Sequence, residues 1–186
     1  MSSNRLDAYK VWPHCESVDL PLSVGGLPYL TDVVHGLIGQ PAWNLNPTYQ
    51  RAACWTDIQA RRFMGHFLAA GPVPAIFVQR YRDSKNAPTG VNWLDLSNEV
   101  VDGQQRLRAM LRWLADEIPA EMDNGDLLWY RDLNKTERRT LPSVHVSFVD
   151  MPIKERLRFY IRLNRGGTVH TEEEIQRVRD LLAEQE

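Results

Sequence analysis

A chain of 186 residues, 43% hydrophobic and 25% charged, has the usage of one globular domain. No apolar run reaches the ~18 residues needed to cross a bilayer, and residues 1–10 hold no apolar signal core, so no membrane association and a cytoplasmic location are expected. Twenty-two basic against 24 acidic residues leave a net charge of -2, with no overall pull toward nucleic acid or an anionic surface.

Residues 1–27, interrupted by Pro13, Pro21, Gly25 and Gly26, are expected to form an irregular arm ahead of a single domain over 28–186. The first helical period follows, with Leu30, Val33, Val34, Leu37 and Ile38 on one face before Gly39 and Pro41 end it. Residues 43–46 read as a short strand. Thr56 or Asp57 then caps a helix to about residue 70, with Ile58, Phe63, Met64 and Phe67 on its buried side. Strands are expected over 74–78, 91–94 and 99–101, separated by loops rich in Asn, Ser, Pro and Gly.

Residues 104–117 form an amphipathic helix, since Leu107, Met110, Leu111 and Leu114 stand at i, i+3, i+4 and i+7. Beyond a weakly patterned stretch over 119–141, residues 144–148 alternate as a half-buried strand does, and helices follow over 154–163 and 172–184. About five short strands and five helices without strict alternation predict an α+β fold.

Cys15 and Cys54 lack any Cys or His at a zinc-ligand spacing and read as buried or inert thiols. His14, His35, His66, His145 and His170 show no ligand spacing either. Eighteen of the 22 basic residues are Arg. Genomic base composition or a need for the planar guanidinium fork, which grips phosphate with paired hydrogen bonds, explains that bias equally well.

Three segments carry candidate chemistry. In Asp102-Gly103-Gln104-Gln105-Arg106 a strand turns directly into a helix, whose first N–H groups lack intrahelical acceptors and favour an anion. Gly103 permits close approach, Gln104 and Gln105 add amide donors, Arg106 adds a fork, and Asp102 could hold Mg²⁺ or orient a water. The plain alternative is an Asp-Gly turn with a solvated arginine. In Asn46-Pro47-Thr48-Tyr49-Gln50-Arg51, Tyr49 could stack a base and Arg51 reach a phosphate, or the segment is simply a turn. In Arg162-Leu163-Asn164-Arg165-Gly166-Gly167-Thr168, two glycines could shape an anion-holding concavity or merely stop a helix.

Taken together and in this order, the three segments resemble the DGQQR-motif domain at the N-terminus of GmrSD-type and SspE-type phage-defence proteins, itself similar to the ParB/sulfiredoxin superfamily. The central motif is intact, Tyr49-Gln50-Arg51 with Trp55 matches the opening motif, and 162–168 with Glu174 matches the closing one. The resemblance implies a small mixed sheet surrounded by helices and a nucleoside triphosphate as ligand or substrate, usually hydrolysed with Mg²⁺ to switch a nuclease. It implies Gly103, Gln104, Gln105 and Arg106 as phosphate contacts, with Asp102, Gln105 and Arg106 catalytic and Asp102 the metal ligand. Tyr49, Gln50, Arg51, Asn164, Arg165 and Gly167 would be pocket walls.

His170 departs from the apolar residue that the family prefers there. Where many members continue into a nuclease or helical domain this chain reaches Glu186, so a separate nuclease or effector protein is the expected partner. The sulfiredoxin thiol chemistry is not implied, because residues 102–106 hold no cysteine. Two alternatives stand beside the NTPase. One is a kinase with Asp102 as base. The other is a non-enzymatic module that binds protein, or nucleic acid through a patch of arginines 51, 61, 62, 106, 108 and 112.

Overall fold

The computed structural model describes residues 15–38, 41–50, 53–81, 86, 89–90, 97–164 and 172–184. A five-stranded mixed sheet forms the middle layer. Its strands are β1 (Cys15–Pro21), β2 (Trp43–Asn44), β3 (Ile76–Gln79), β4 (Asn98–Asp102) and, after a two-stranded hairpin of β5 (Ala120–Glu121) and β6 (Leu127–Leu128), β7 (Ser143–Val149). The order across the sheet is β1-β7-β3-β4-β2. The β1/β7 and β3/β4 pairs are antiparallel, and β7/β3 and β4/β2 are parallel. Helices alternate irregularly with these strands: α1 (Tyr29–Val34), α2 (Asp57–Leu68), α3 (Gln104–Leu114), α4 (Lys135–Arg139), α5 (Ile153–Asn164) and α6 (Glu172–Ala183). The fold is therefore α+β, as the lack of strict alternation predicts.

Successive strand side chains point to opposite faces, and the two cores follow that rule. Ile76, Val78, Val100, Val144 and Val146 face one way, into a cluster with Leu30, Met64, Leu107, Met110 and Trp113 from α1, α2 and α3. Phe77, Val101 and Val149 face the other, against Leu157, Phe159, Tyr160, Ile161 and Val178 of α5 and α6. β3 and β4 are thus covered on both sides, as is the second half of β7, while Ser143 and His145 at its start are exposed.

Several elements differ from their sequence reading. Residues 15–21, expected within an irregular arm, are an edge strand paired along its whole length, from Cys15 opposite Val149 to Pro21 opposite Ser143. Leu22, just beyond, is wholly buried. α1 stops at Val34 rather than at residue 38. The Leu37 N–H bonds to Asp32 O and the Gly36 N–H to Val33 O, the bond pair that closes a helix end, and Leu37 and Ile38 are exposed.

Thr56 caps α2 with a reciprocal Gln59 bond, but Ile58 stands two residues from buried Ala60, across the helix, and is exposed. The stretch 119–141 holds the β5–β6 hairpin, a single 3₁₀ turn at Tyr130–Asp132 and α4. Cys15 is half-buried, and burial pushes its thiol up, whereas Cys54 is exposed rather than buried. The strand expected over 91–94 and the loop 165–171 lie outside the described residues.

Candidate functional site

The corner between β4 and α3 contains no loop. Gly103 alone joins Asp102 to Gln104, with φ +92° and ψ 11°. A Cβ at this position would lie 2.9 Å from Ile76 Cγ1 on β3 and 3.2 Å from Arg106 Nη2, so both the left-handed backbone and the space around it require glycine. One turn on, Arg106 folds back over the corner. Its Nη2 donates to Asp102 Oδ2 at 2.5 Å, and its Nη1 donates to the carbonyls of Pro74 and Ala75, ahead of β3. A guanidinium has five N–H groups, and the Nε–H and one Nη2–H of Arg106 take no partner among the described residues. Asp102 retains Oδ1.

The preceding turn is positioned from two sides. Arg177 of α6 donates to the carbonyls of Thr48 and Gln50 at 2.7 and 2.6 Å. Gln50 Nε2 donates to the carbonyls of Val100 and Val101 at 2.5 and 2.7 Å. Gln50 is 6% exposed, and its Oε1 is shut from solvent with no hydrogen-bond partner among the described residues. Gln105 faces the segment before α2, where its Oε1 accepts the N–H groups of Cys54 and Trp55 at 3.3 and 3.4 Å.

These groups surround a cavity of about 490 Å³. Its lining combines the polar Asp102, Gly103, Gln104, Gln105, Arg106 and Gln50 with the aromatic Trp55, Phe63, Phe77 and Tyr160. The volume lies within the range of small-molecule sites. His66 also lines it, held by its ring Nε2 at 3.1 Å from Pro72 O.

Tyr49 takes a different place from the one its motif suggests. It is 3% exposed, its ring stands edge-on to Tyr160 at 5.5 Å, and its hydroxyl donates to Glu99 Oε2 at 3.2 Å, so neither face is open to a base. It belongs to a buried polar cluster at the other end of β4. There Arg156 Nη1 donates to Tyr81 Oη at 2.6 Å and to Glu99 Oε2 at 2.8 Å, and Tyr81 donates to Glu99 Oε1 at 3.3 Å. Burial raises both phenols, Tyr49 strongly, with Glu99 adding to the rise. For Arg156, burial alone would lower the guanidinium, but Glu99 and the two tyrosines outweigh it and hold it above its usual range.

Of the remaining residues named from the sequence, Arg51, Arg165 and Gly167 lie outside the described residues, and Asn164 is described only as the last residue of α5. The aromatic part of the lining is not evident in the sequence. Phe63 reads there as ordinary helix core, and Phe77 and Tyr160 come from elements 83 residues apart in the chain. Three of the six arginines of the expected patch are paired with acids. Arg62 pairs with Glu121, Arg106 with Asp102, and Arg112 with Asp57 and Glu117.

Among the described residues no group of three His, Cys, Asp or Glu side chains could hold a metal ion. Asp102 offers a single carboxylate oxygen that the described residues leave unbonded. That donor set fits Mg²⁺ delivered on phosphates, which commonly takes only one or two protein carboxylates. No helix among the described residues is long and apolar enough to cross a membrane.

A mixed sheet between two helical layers, with a cavity at a glycine-made strand-to-helix corner, defines the class as a layered α+β domain. The family model of the GmrSD restriction endonuclease N-terminal domain matches residues 34–179. That span is most of the chain, and the chain belongs to this family of restriction modules that act in phage defence. Neither the curated proteins nor the solved structures gave a match.

Proposed function

We propose that the β4–α3 cavity binds a nucleoside triphosphate and hydrolyses it with Mg²⁺, switching a separate nuclease or effector. The observation that carries this reading is that one cavity is lined both by the start of α3 and by several aromatic side chains. The start of α3 concentrates backbone N–H groups and partial positive charge, and the remaining donors of Arg106 lie beside it, which suits a polyphosphate. In the same cavity Trp55, Phe63 and Phe77 offer apolar surface for a base, and Gln50, with its unpartnered Oε1, borders it.

Hydrolysis of this kind requires positioning and charge neutralisation more than covalent participation. Asp102 Oδ1 is the group that would hold Mg²⁺, whose charge would offset that building on the phosphates, or would orient the attacking water. Arg106, braced by the Pro74 and Ala75 carbonyls, keeps Asp102 in place while offering its remaining donors to the phosphates.

The test is a thermal-shift and phosphate-release screen of the four NTPs with Mg²⁺. Ligand at 100 times its Kd adds about 2.7 kcal/mol. At about 2–4 °C per kcal/mol for a domain of this size, that raises Tm by roughly 5–11 °C. Asp102→Asn should lose about a hundredfold or more in turnover while still binding nucleotide. Absence of both a shift and phosphate release for all four NTPs would overturn the proposal. Label passing from the γ-phosphate to an acceptor hydroxyl instead of water would replace hydrolysis with kinase transfer.

A further inference from the structure

A second cavity, of about 400 Å³, lies along α3 and shares Trp55 and Gln105 with the first. Its lining sets the apolar Leu45, Ala60 and Leu111 beside the polar His35, Gln105 and Glu117, the last of these engaged by Arg112. Two guanidinium groups stand in this lining, and their situations differ. Arg112 is engaged twice, donating to Asp57 Oδ1 at 2.9 Å and Glu117 Oε2 at 3.3 Å. Arg108 pairs with no carboxylate among the described residues. Its Nη2 donates only to the neutral Asn46 Oδ1 at 2.6 Å and, weakly, to Leu45 O at 3.5 Å. Its Nε is closed off from water with no partner among the described residues.

A half-buried guanidinium without a counter-charge is costly, and a wall that combines it with apolar surface is complementary to one kind of occupant. The occupant is a small molecule with one acidic group to meet Arg108 and an apolar body to cover Leu45, Leu111 and Trp55. A cavity of this size accommodates it. We propose that this second cavity is a binding site for a small amphipathic anion, a phosphate monoester or carboxylate on an aromatic or aliphatic body, with Arg108 holding the acid group.

Isothermal titration of the full chain tests this directly. The probes are phenyl phosphate and phenylacetate, with benzyl alcohol as the neutral counterpart. At least one anion should saturate at one per chain and bind tenfold or more tightly than benzyl alcohol, and the preferred anion identifies the acid group. Arg108→Met, which keeps length and removes charge, should weaken the anion at least tenfold and leave benzyl alcohol unchanged. Arg108→Lys, which keeps the charge but not the fork, should fall between and covers the case in which the Met variant does not fold. Three results would overturn the proposal: no saturable anion binding by the unaltered chain, equal affinity in the Arg108 variants, or loss of binding in Arg106→Gln instead, which would put the anion in the first cavity.

Discussion

Replacing Gly103 by alanine tests the corner on which the site depends. Two costs add. The residue sits at φ +92°, where a side chain costs about 1–2 kcal/mol. The new methyl group would also stand 2.9 Å from Ile76 Cγ1 and 3.3 Å from Ile76 Cα, and overpacking a filled interior costs about 1–3 kcal/mol. The sum is about 2–5 kcal/mol, a large part of the ~5–15 kcal/mol that holds a domain folded. Gly125 provides the control. Its φ is +86°, yet nothing lies within 4 Å of its would-be Cβ, so Gly125→Ala carries the backbone cost alone. The unfolded chain loses the same freedom in both variants, and that contribution cancels between them. Urea unfolding followed by tryptophan fluorescence should therefore put Gly103→Ala about 1–3 kcal/mol below Gly125→Ala. Equal stabilities would refute the claim that β3 crowds the corner.

Glu99→Gln removes the carboxylate facing Arg156, whose side chain is only 6% exposed, and a stranded buried charge costs about 3–5 kcal/mol. The same urea assay should show that loss, with much of it recovered in Glu99→Gln/Arg156→Met; a Glu99→Gln variant as stable as the parent would contradict the clamp. The raised phenols make a prediction at alkaline pH. Their contribution is intact below the unfolded phenol value near 10, and it declines as pH climbs from there through the higher folded values of Tyr49 and Tyr81. Absorbance at 295 nm should show these two tyrosines ionising later than an exposed phenol, with Tyr49→Phe removing the latest component. A single transition near 10 for every tyrosine would contradict their burial.

The corner was legible because its chemistry is local. A strand ending in Asp102, a glycine, and a helix starting at Gln104 are neighbours in the chain, and apolar spacing alone fixes both elements. The occupancy of Arg106 was not legible, since the Pro74 and Ala75 carbonyls that take its Nη1 lie about thirty residues upstream and are brought there only by β3/β4 pairing. Tyr49 shows the same limit. Its motif suggests an exposed ring, but Glu99 and Arg156, 50 and 107 positions away, draw it into a buried cluster. β1 was hidden for another reason. Pro21 and the glycines after it break the period, and an edge strand needs only one buried face to hold its register.

β1 also sets where a folding unit must begin. The family match starts at residue 34, but a fragment trimmed to it would lack seven residues of sheet and the fully buried Leu22 and Leu30. Such a fragment would carry an unfilled hole in its interior and bare the peptide groups along one side of β7, which β1 shields while turning its own exposed Glu16 and Asp19 to water. Aggregation of the trimmed version would then report a missing strand and say nothing of the corner's chemistry.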